Sequence, residues 1–358
     1  MPLRVIVWGT GNVGEPALRA VISHHGLELV GVITSSESKE EQDAGALAGL
    51  GITTGIRATR DWQAALAGGC DAVVYAATAD RRFEAALGDI MTCLRAGINV
   101  VAAGLYPLQS STTAPPPLRE MVDQACAASG ASILVSGIDP GWAMDVLALN
   151  IAGMSSDITE IRCQEIMNYQ HYDQPDVVRS VIGFGGPMDE TPMMLFDPSL
   201  RFVWEPTVRA LGDALGRPVD QVTTHVERRA LERVIDVPGM GRFAAGTQGA
   251  FRFELVGHSG GAPLFVVEHI TRIDNECAPD WPYPPTGEGC HGVVVTGNPV
   301  IHVAVHGEDP FKPGPGGGGN ASAACRLVNA IPFVCGAPPG IVPGIAVPMH
   351  QGGQQLRG

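Results

Sequence analysis

The chain has 358 residues, enough for one large or two ordinary domains, and its 45% hydrophobic and 6% aromatic content is typical of a globular α/β protein. A formal net charge of -14 argues against a nucleic-acid partner, because a phosphate backbone requires a basic face. We expect a cytoplasmic protein without a membrane segment, since the chain shows neither a signal-like start nor an apolar run of spanning length.

The eight cysteines are scattered, without a CxxC pair or the Cys/His spacing of a metal site. We therefore expect reduced thiols and no bound metal. The chain contains just two lysines, Lys39 and Lys312, both in polar or Gly/Pro-rich surroundings. This argues against a buried lysine that forms a Schiff base.

The first 140 residues alternate short apolar runs with amphipathic stretches, which predicts βα units on a parallel sheet. The predicted strands cover 4–8, 27–33, 72–76, 99–102 and 132–135. The predicted helices cover 15–23, 62–67, 85–96 and 118–128. This order is that of a doubly wound α/β sheet.

From about residue 141 the pattern changes to longer strand-like segments separated by Pro/Gly turns, which indicates an α+β domain with a mostly antiparallel sheet. Its predicted strands cover 158–167, 225–234, 250–256, 264–272 and 300–306, and its predicted helices 144–151 and 206–215. We predict a flexible loop over 313–319 and a helix over 321–330 capped by Asn320. The predicted domains are 1–140, with 321–358 packing back on it, and a substrate domain over 141–320.

A glycine-rich turn follows the first strand at once and opens the first helix. Gly9 allows a tight turn, Gly11 lets the backbone approach a pyrophosphate, and Gly14 permits close packing of helix on strand. The N–H groups of the helix N-terminus then bind the pyrophosphate. The sequence predicts a Rossmann domain that binds a nicotinamide dinucleotide through Gly9, Thr10, Gly11, Asn12, Val13 and Gly14.

The end of the second strand carries no carboxylate to repel a 2′-phosphate and is followed by Ser35, Ser36 and Lys39. This favours NADP(H) over NAD(H). Glu37 is contrary evidence, and a solvated loop without cofactor preference stays open. After two further strands come Ala77, Thr78 and Ala103, whose small side chains allow the cofactor to cross the sheet edge.

Several short motifs follow one another along the chain: VWGTGNVG at 7–14, DAG at 43–45, ATRD at 58–61, DPGW at 139–142 with Asp145, EHITR at 268–272, NAIP at 329–332 and APPG at 337–340. Together they resemble the 2,4-diaminopentanoate dehydrogenase and native amine dehydrogenase family, which is related to dihydrodipicolinate reductase. The resemblance covers nearly the whole chain.

The resemblance implies NAD(P)H-dependent reductive amination of a ketone or aldehyde with ammonia, and the reverse deamination. It also implies a homodimer formed through the second domain, with the active site between the domains. It assigns Trp142 to an apolar wall of the substrate pocket, Asn168 to a polar contact and His269 to the pocket floor. Trp142 as a core residue and His269 as a satisfied sheet histidine are the structural alternatives. Apolar residues that favour an uncharged substrate, unless they are core, are Phe184, Met188, Met193 and Met194.

The family resemblance also implies a catalytic glutamate just after the strand at 99–102, yet the segment 103–109 reads AGLYPLQ and contains no carboxylate. Tyr106 and Asp139 are the candidate proton-transfer residues, with Asp145 and Glu165 as further options. The missing glutamate leaves two alternatives open, an ammonia-independent carbonyl reductase and a non-catalytic NADP-binding homologue.

Overall fold

The computed structural model describes residues 1–79, 82–172 and 174–356, so the last two residues of the predicted 321–358 segment lie outside it. The chain forms two compact units. The first contains Met1–Ile138 together with Asn320–Gly358, and the second contains Asp139–Gly319.

A parallel sheet forms the centre of the first unit. Among the described residues its strands are β1 Leu3–Trp8, β2 Leu27–Ile33, β3 Ala58–Thr59, β4 Ala72–Tyr75, β5 Asn99–Ala102, β6 Ser132–Val135 and, fifteenth in chain order, β15 Gly340–Val342. Their order across the sheet is β15-β6-β5-β4-β1-β2-β3. The predicted parallel α/β sheet is confirmed, and the two strands that the sequence analysis missed are the short edge strands β3 and β15.

Helices cover both faces of this sheet. They are α1 Gly14–Ser23, α2 Ala44–Leu47, α3 Trp62–Ala67, α4 Phe83–Arg95, α5 Pro116–Ser129 and, ninth in chain order, α9 Pro315–Gly336. On one face Leu18 of α1 and Leu327 of α9 pack with Val5 and Val7. On the other face Ile90 of α4 and other residues of α4 and α5 form a second core. The unit is therefore doubly wound.

The glycine-rich tract at 313–319 differs from the prediction, because α9 already begins at Pro315 and Asn320 lies inside the helix instead of capping it. The helix start packs tightly against neighbouring backbone. A Cβ on Gly317 would lie 1.8 Å from the Lys312 carbonyl oxygen, and one on Gly318 would lie 1.9 Å from that of Gly307. Glycine is present here to allow close approach of the backbone, although each glycine costs about 1 kcal/mol of helix propensity.

The second unit contains a sheet of strand order β14-β13-β7-β12-β11-β8. Described strands of this unit are β7 Ser156–Asn168, β8 Gln221–Ala230, β9 Ile235–Val237, β10 Gly241–Phe243, β11 Gln248–Ser259, β12 Ala262–Arg272, β13 Gly289–Asn298 and β14 Ile301–Val305. Strands β9 and β10 form a separate hairpin. Within the larger sheet β7 and β12 pair in parallel, and the other described pairs are antiparallel. The prediction of a mostly antiparallel sheet is confirmed.

Described helices of the second unit are α6 Val146–Ala152, α7 Pro175–Ser180 and α8 Asp197–Ala214. Helix α8 contains Pro206 in its interior and begins nine residues before the predicted start at 206. The prediction placed this proline at the first helical position, where proline is most common. Strand β8 begins four residues before its predicted start at 225, and β9, β10 and β13 were not predicted. No helix in the described part of the chain is both long and apolar enough to cross a membrane.

Candidate active site

The turn between β1 and α1 is packed so closely that two of its glycines are required. Gly9 has φ +116°, and a Cβ there would lie 2.6 Å from backbone atoms of Ala76 and Ala77. A Cβ on Gly14 would lie 2.0 Å from the Gly9 carbonyl oxygen. These contacts bring the turn against the end of β4 and against the first turn of α1.

Gly11 has a different environment, because no described atom outside its immediate neighbours lies within 4 Å of a Cβ built there. The space beside Gly11 adjoins the N-terminus of α1, where a helix leaves N–H groups without intrahelical acceptors and carries a partial positive charge. Room for a ligand and oriented donors therefore coincide at Gly11. This arrangement fits the pyrophosphate of a dinucleotide.

The carboxyl ends of β1, β4 and β5 lie side by side at this edge of the sheet. The Ala76 N–H donates to the Trp8 carbonyl over 2.8 Å, and the Ala103 N–H donates to that of Tyr75 over 3.3 Å. Ala77 and Ala103 are half-buried, and Thr78 is exposed. The structure thus brings these three predicted cofactor residues to the same edge as the glycine turn.

Hydroxyl groups link the glycine turn to the end of β2. The hydroxyls of Thr10 and Thr34 lie 2.9 Å apart, and the Ser36 N–H donates to the Thr34 hydroxyl over 3.2 Å. Ser35 itself is exposed. Lys39 reaches back to the turn, where its ammonium donates to the Thr10 carbonyl and pairs with Glu15 at 3.1 Å.

Tyr106 begins the 3₁₀ turn Tyr106–Leu108, which follows β5. Leu105 and Leu108 are fully buried on either side of it, whereas Tyr106 is half-buried. Two buried neighbours fix the turn at the carboxyl edge of the sheet. Tyr106 therefore lies on the same edge of the first unit as the predicted cofactor residues.

Buried charged side chains form a cluster in the second unit. His269 on β12 lies between two carboxylates, with its Nε2 atom 3.0 Å from Asp139 Oδ2 and its Nδ1 atom 3.4 Å from Glu165 Oε1. The indole N–H of Trp204 donates to Asp139 Oδ1 over 2.9 Å. The cluster thus joins two of the predicted site residues, Asp139 and His269, with Glu165.

Strand pairing explains how these residues meet. Glu165 on β7 is paired with His269 on β12 and with His291 on β13. The His291 Nε2 atom lies 3.4 Å from Glu165 Oε2, and the Tyr169 hydroxyl donates to Glu165 Oε1 over 3.3 Å. The contributions of Tyr169, Trp204 and His291 were not predicted from the sequence. Alternation along the apolar strand β13 would have placed His291 on the inner face had that strand been recognised.

The charges of the cluster follow from its contacts. Burial lowers the pKa of His269, but the carboxylates of Asp139 and Glu165 outweigh burial and raise it to about 10. Burial would raise the pKa of Glu165, yet His269 and His291 hold it well below its ordinary value. The Phe253 ring stacks on His269 with centroids 4.6 Å apart, which suits a cation. His269 is therefore an imidazolium and Glu165 a carboxylate at neutral pH.

Ligand atoms of Asp139, Glu165 and His269 all lie within 4.8 Å of one another, a spacing that also suits a metal ion. The two carboxylates, however, approach opposite nitrogens of the ring. In its charged form the His269 imidazolium has no lone pair to offer a metal ion. The cluster is better explained as a buried ion-pair network.

The remaining predicted residues lie elsewhere. Trp142 is half-buried and packs against the core of the second unit. The side-chain oxygen of Asn168 accepts from the Gln170 N–H over 2.9 Å, and strand alternation places Asn168 on the sheet face opposite Glu165. Asp145 caps α6 by accepting from the Val146 N–H. The structure therefore does not group Asn168 with His269.

Comparison with known proteins relates the chain to a family of enzymes. A family model described as the N-terminus of dihydrodipicolinate reductase matches residues 3–104. An amine dehydrogenase from Streptomyces virginiae is 45% identical over 349 residues, which cover 97% of each chain. The chain belongs to the amine dehydrogenase family.

Two more distant relatives agree with this assignment. A 2,4-diaminopentanoate dehydrogenase from Acetoanaerobium sticklandii is 23% identical over 97% of this chain and 94% of its own. The solved amine dehydrogenase of Mycobacterium smegmatis superimposes with a TM-score of 0.75 at 22% identity, covering 97% of this chain and 96% of that chain. The resemblance inferred from sequence motifs is confirmed, and the protein is an oxidoreductase of the dehydrogenase type.

Proposed function

We propose that the protein is an NADPH-preferring amine dehydrogenase for a small, fairly apolar ketone or aldehyde. In the synthetic direction a carbonyl compound, ammonia, NADPH and one proton give the primary amine, NADP+ and water. The main observation in support of this proposal is the open space beside Gly11 at the N-terminus of α1, in a chain that belongs to the amine dehydrogenase family.

The cofactor residues of the proposal belong to the first unit. The backbone of the Gly9–Gly14 turn would hold the pyrophosphate, and Ala77, Thr78 and Ala103 would line the sheet edge that the dinucleotide crosses. Ser35 and Ser36 are assigned to the NADP-specific side of the site, whereas Lys39 stabilises the glycine turn through the Thr10 carbonyl and Glu15. The bound nicotinamide supplies the hydride that moves to carbon.

Tyr106 is the proposed proton donor, because it is the titratable side chain in the segment 103–109 that replaces the family's glutamate. Asp139 is already engaged by Trp204 and His269, so we assign it an electrostatic role. In that role it lies opposite the His269 imidazolium inside the buried cluster. Trp142 is assigned to an apolar wall and His269 to a polar position of the substrate domain, whereas Asn168, on the opposite sheet face, is left out of the proposed site.

The same proposal includes a carbonyl or amine compound and ammonia as partners, a homodimer formed through the second unit and a cytoplasmic location. The family resemblance supports the partners and the homodimer, and the scattered cysteines without a CxxC pair support the cytoplasmic location. A second candidate, ammonia-independent carbonyl reduction, is favoured by one observation, the absence of a carboxylate from the segment 103–109.

The test follows NADPH oxidation over a panel of small ketones and aldehydes, with and without ammonium, and NADH as the comparison cofactor. Oxidation that requires ammonium, with the amine identified as product, supports the proposal. Oxidation to an alcohol at the same rate without ammonium establishes the carbonyl reductase instead. A chain that turns over amines only with NAD+ overturns the proposed NADPH preference.

A further inference from the structure

Arg60 lies at the place where a Rossmann domain distinguishes its cofactors. Strand β3 pairs in parallel with β2, with Thr59 opposite Ile33, and the Thr34 N–H donates to the Thr59 carbonyl over 3.0 Å. Arg60 follows β3 directly, as Thr34 and Ser35 follow β2. Its backbone is therefore next to the hydroxyl-bearing end of β2, where the ribose 2′ position is recognised.

The two cations near this edge are bound very differently. Lys39 is tied to the glycine turn by the Thr10 carbonyl and by Glu15 at 3.1 Å. The Arg60 side chain, in contrast, is 49% exposed, and its guanidinium lies 3.7 Å from the Glu40 carboxylate. An exposed ion pair of this length contributes little, so a ligand that offers a stronger anion can displace Glu40.

A 2′-phosphate bound at this edge would need a cation such as Arg60 beside it. Glu37 and Glu40 lie just beyond β2, and a 2′-phosphate bound at Ser35 and Ser36 would meet their negative charge. A guanidinium offers several donors in a planar fork that matches phosphate oxygens, and its flat face also stacks on an adenine ring.

We infer that Arg60 is the side chain that recognises the 2′-phosphate of NADPH, together with the hydroxyls of Ser35 and Ser36, while Lys39 serves the glycine turn. The inference rests on the proposed function and names the residue that sets its cofactor preference. Glu40 holds the guanidinium near the site in the absence of phosphate.

The test is isothermal titration calorimetry of the full chain with 2′,5′-ADP and with 5′-AMP, ligands that differ only in the 2′-phosphate. The variants are Arg60→Ala, Lys39→Ala and, as a matched control, Arg57→Ala. Arg57 is an exposed arginine of the same segment whose guanidinium donates to the Glu41 carbonyl over 2.8 Å. Thermal unfolding confirms that each variant is folded.

We expect the wild type to bind 2′,5′-ADP at least about tenfold more tightly than 5′-AMP, as a charge-assisted phosphate contact implies. Arg60→Ala abolishes that preference and raises KM for NADPH by a similar factor, with KM for NADH changed by less than about twofold. Arg57→Ala retains the preference. Glu40→Gln strengthens 2′,5′-ADP binding, because it removes the competing carboxylate.

A preference that survives in Arg60→Ala, or that Lys39→Ala abolishes in its place, overturns the role of Arg60 and leaves the amine dehydrogenase proposal intact. Equal binding of the two nucleotides by the wild type overturns the NADPH preference itself. Turnover that depends on ammonium is scored in a separate assay, so failure of the inference and failure of the proposed reaction are distinguishable.

Discussion

In the second unit, the Nε2 atom of His269 lies 3.0 Å from the Oδ2 atom of Asp139, and both side chains are at most 3% exposed. Glu165 contacts the opposite ring nitrogen. Groups of opposite charge at this depth hold one another in the ionised state, and each depends on the others for its counter-charge. The cluster therefore responds as a unit when one member is changed.

Replacing His269 by glutamine removes the cation and leaves two carboxylates buried without it. We expect a loss of about 3–5 kcal/mol in the free energy of unfolding, the usual cost of breaking a buried ion pair from one side. Urea denaturation measures it. His225→Gln is the control, because the His225 side chain is 64% exposed and the surface pair with Glu227 contributes little. Equal stability of the two variants would contradict the buried network.

The stability of the fold should fall on the alkaline side because of His269. Its pKa is about 10 in the folded chain against an ordinary value of 6.5, so its contribution is complete below pH 6.5 and is lost as the pH rises to about 10. The slope approaches about 1.4 kcal/mol per pH unit within that window. Glu165, with a lowered pKa, acts oppositely and loses its contribution on acidification. Melting temperatures across this range should fall less steeply in His269→Gln than in the wild type.

Substitutions of Gly11 and Gly14 should have different effects, the first on dinucleotide binding and the second on the stability of the fold. Gly11→Ala adds a methyl group to open space, so we expect a normal melting temperature and dinucleotide binding weakened by about tenfold or more. Gly14→Ala forces a Cβ against the Gly9 carbonyl and should destabilise the fold by about 1–3 kcal/mol. Calorimetric titration with NADPH and thermal unfolding measure the two effects. If Gly11→Ala binds NADPH like the wild type, the pyrophosphate does not lie beside Gly11.

Two adjacent glycines at the start of α9 should differ in the same way. Gly318→Ala meets the Gly307 carbonyl at 1.9 Å and should destabilise the protein, whereas a Cβ on Gly319 has its nearest neighbour, His291, at an ordinary 3.8 Å. Gly319→Ala should be neutral or stabilising by up to about 1 kcal/mol, since alanine is the better helix former. Chemical denaturation of both variants tests the packing of this helix start. Equal effects of the two substitutions on stability would show that the backbone contact at Gly318 does not require glycine at this position.

Tyr106→Phe removes the proposed proton donor while keeping the ring. We expect kcat to fall by about 100-fold with little change in KM for the carbonyl substrate, as loss of a general acid implies. Tyr283→Phe is the control, because the Tyr283 hydroxyl donates to the Asn275 carbonyl on an exposed loop. Steady-state kinetics with ammonium present decides the matter. Unchanged kcat in Tyr106→Phe would exclude it as the proton donor.

Local sequence patterns predicted the elements whose structure depends on residues that are close together in the sequence. The β1 turn and α1 were predicted within one residue, because an apolar run, three spaced glycines and an amphipathic helix agree there. Strands β3 and β15, with two and three residues, are too short to show a period and exist through pairing with longer strands. The helical glycines at 316–319 were assigned to a loop, since their reason is a contact with distant backbone.

Contacts between residues far apart in the sequence, such as those of the buried cluster, could not be predicted from local patterns. Asp139 and His269 were singled out separately, 130 positions apart, and their contact depends on the fold. Glu165 meets His269 because β7 and β12 pair in parallel at one particular register, which alternation of apolar residues does not specify. Lys39 shows the same limit on a smaller scale, because nothing in the sequence indicates its bond to the Thr10 carbonyl.

Strand β15 gives the chain a particular order of assembly. It pairs with β6 at the edge of the parallel sheet, and it comes from the last part of the chain, after the whole of the second unit. During synthesis the first unit therefore cannot complete its sheet until nearly all residues have emerged. Until then β6 is an open edge and one sheet face lacks α9. An exposed strand edge is a site for misassociation, so truncation before β15 should yield an aggregating product even though the dinucleotide motif lies at the opposite end of the chain.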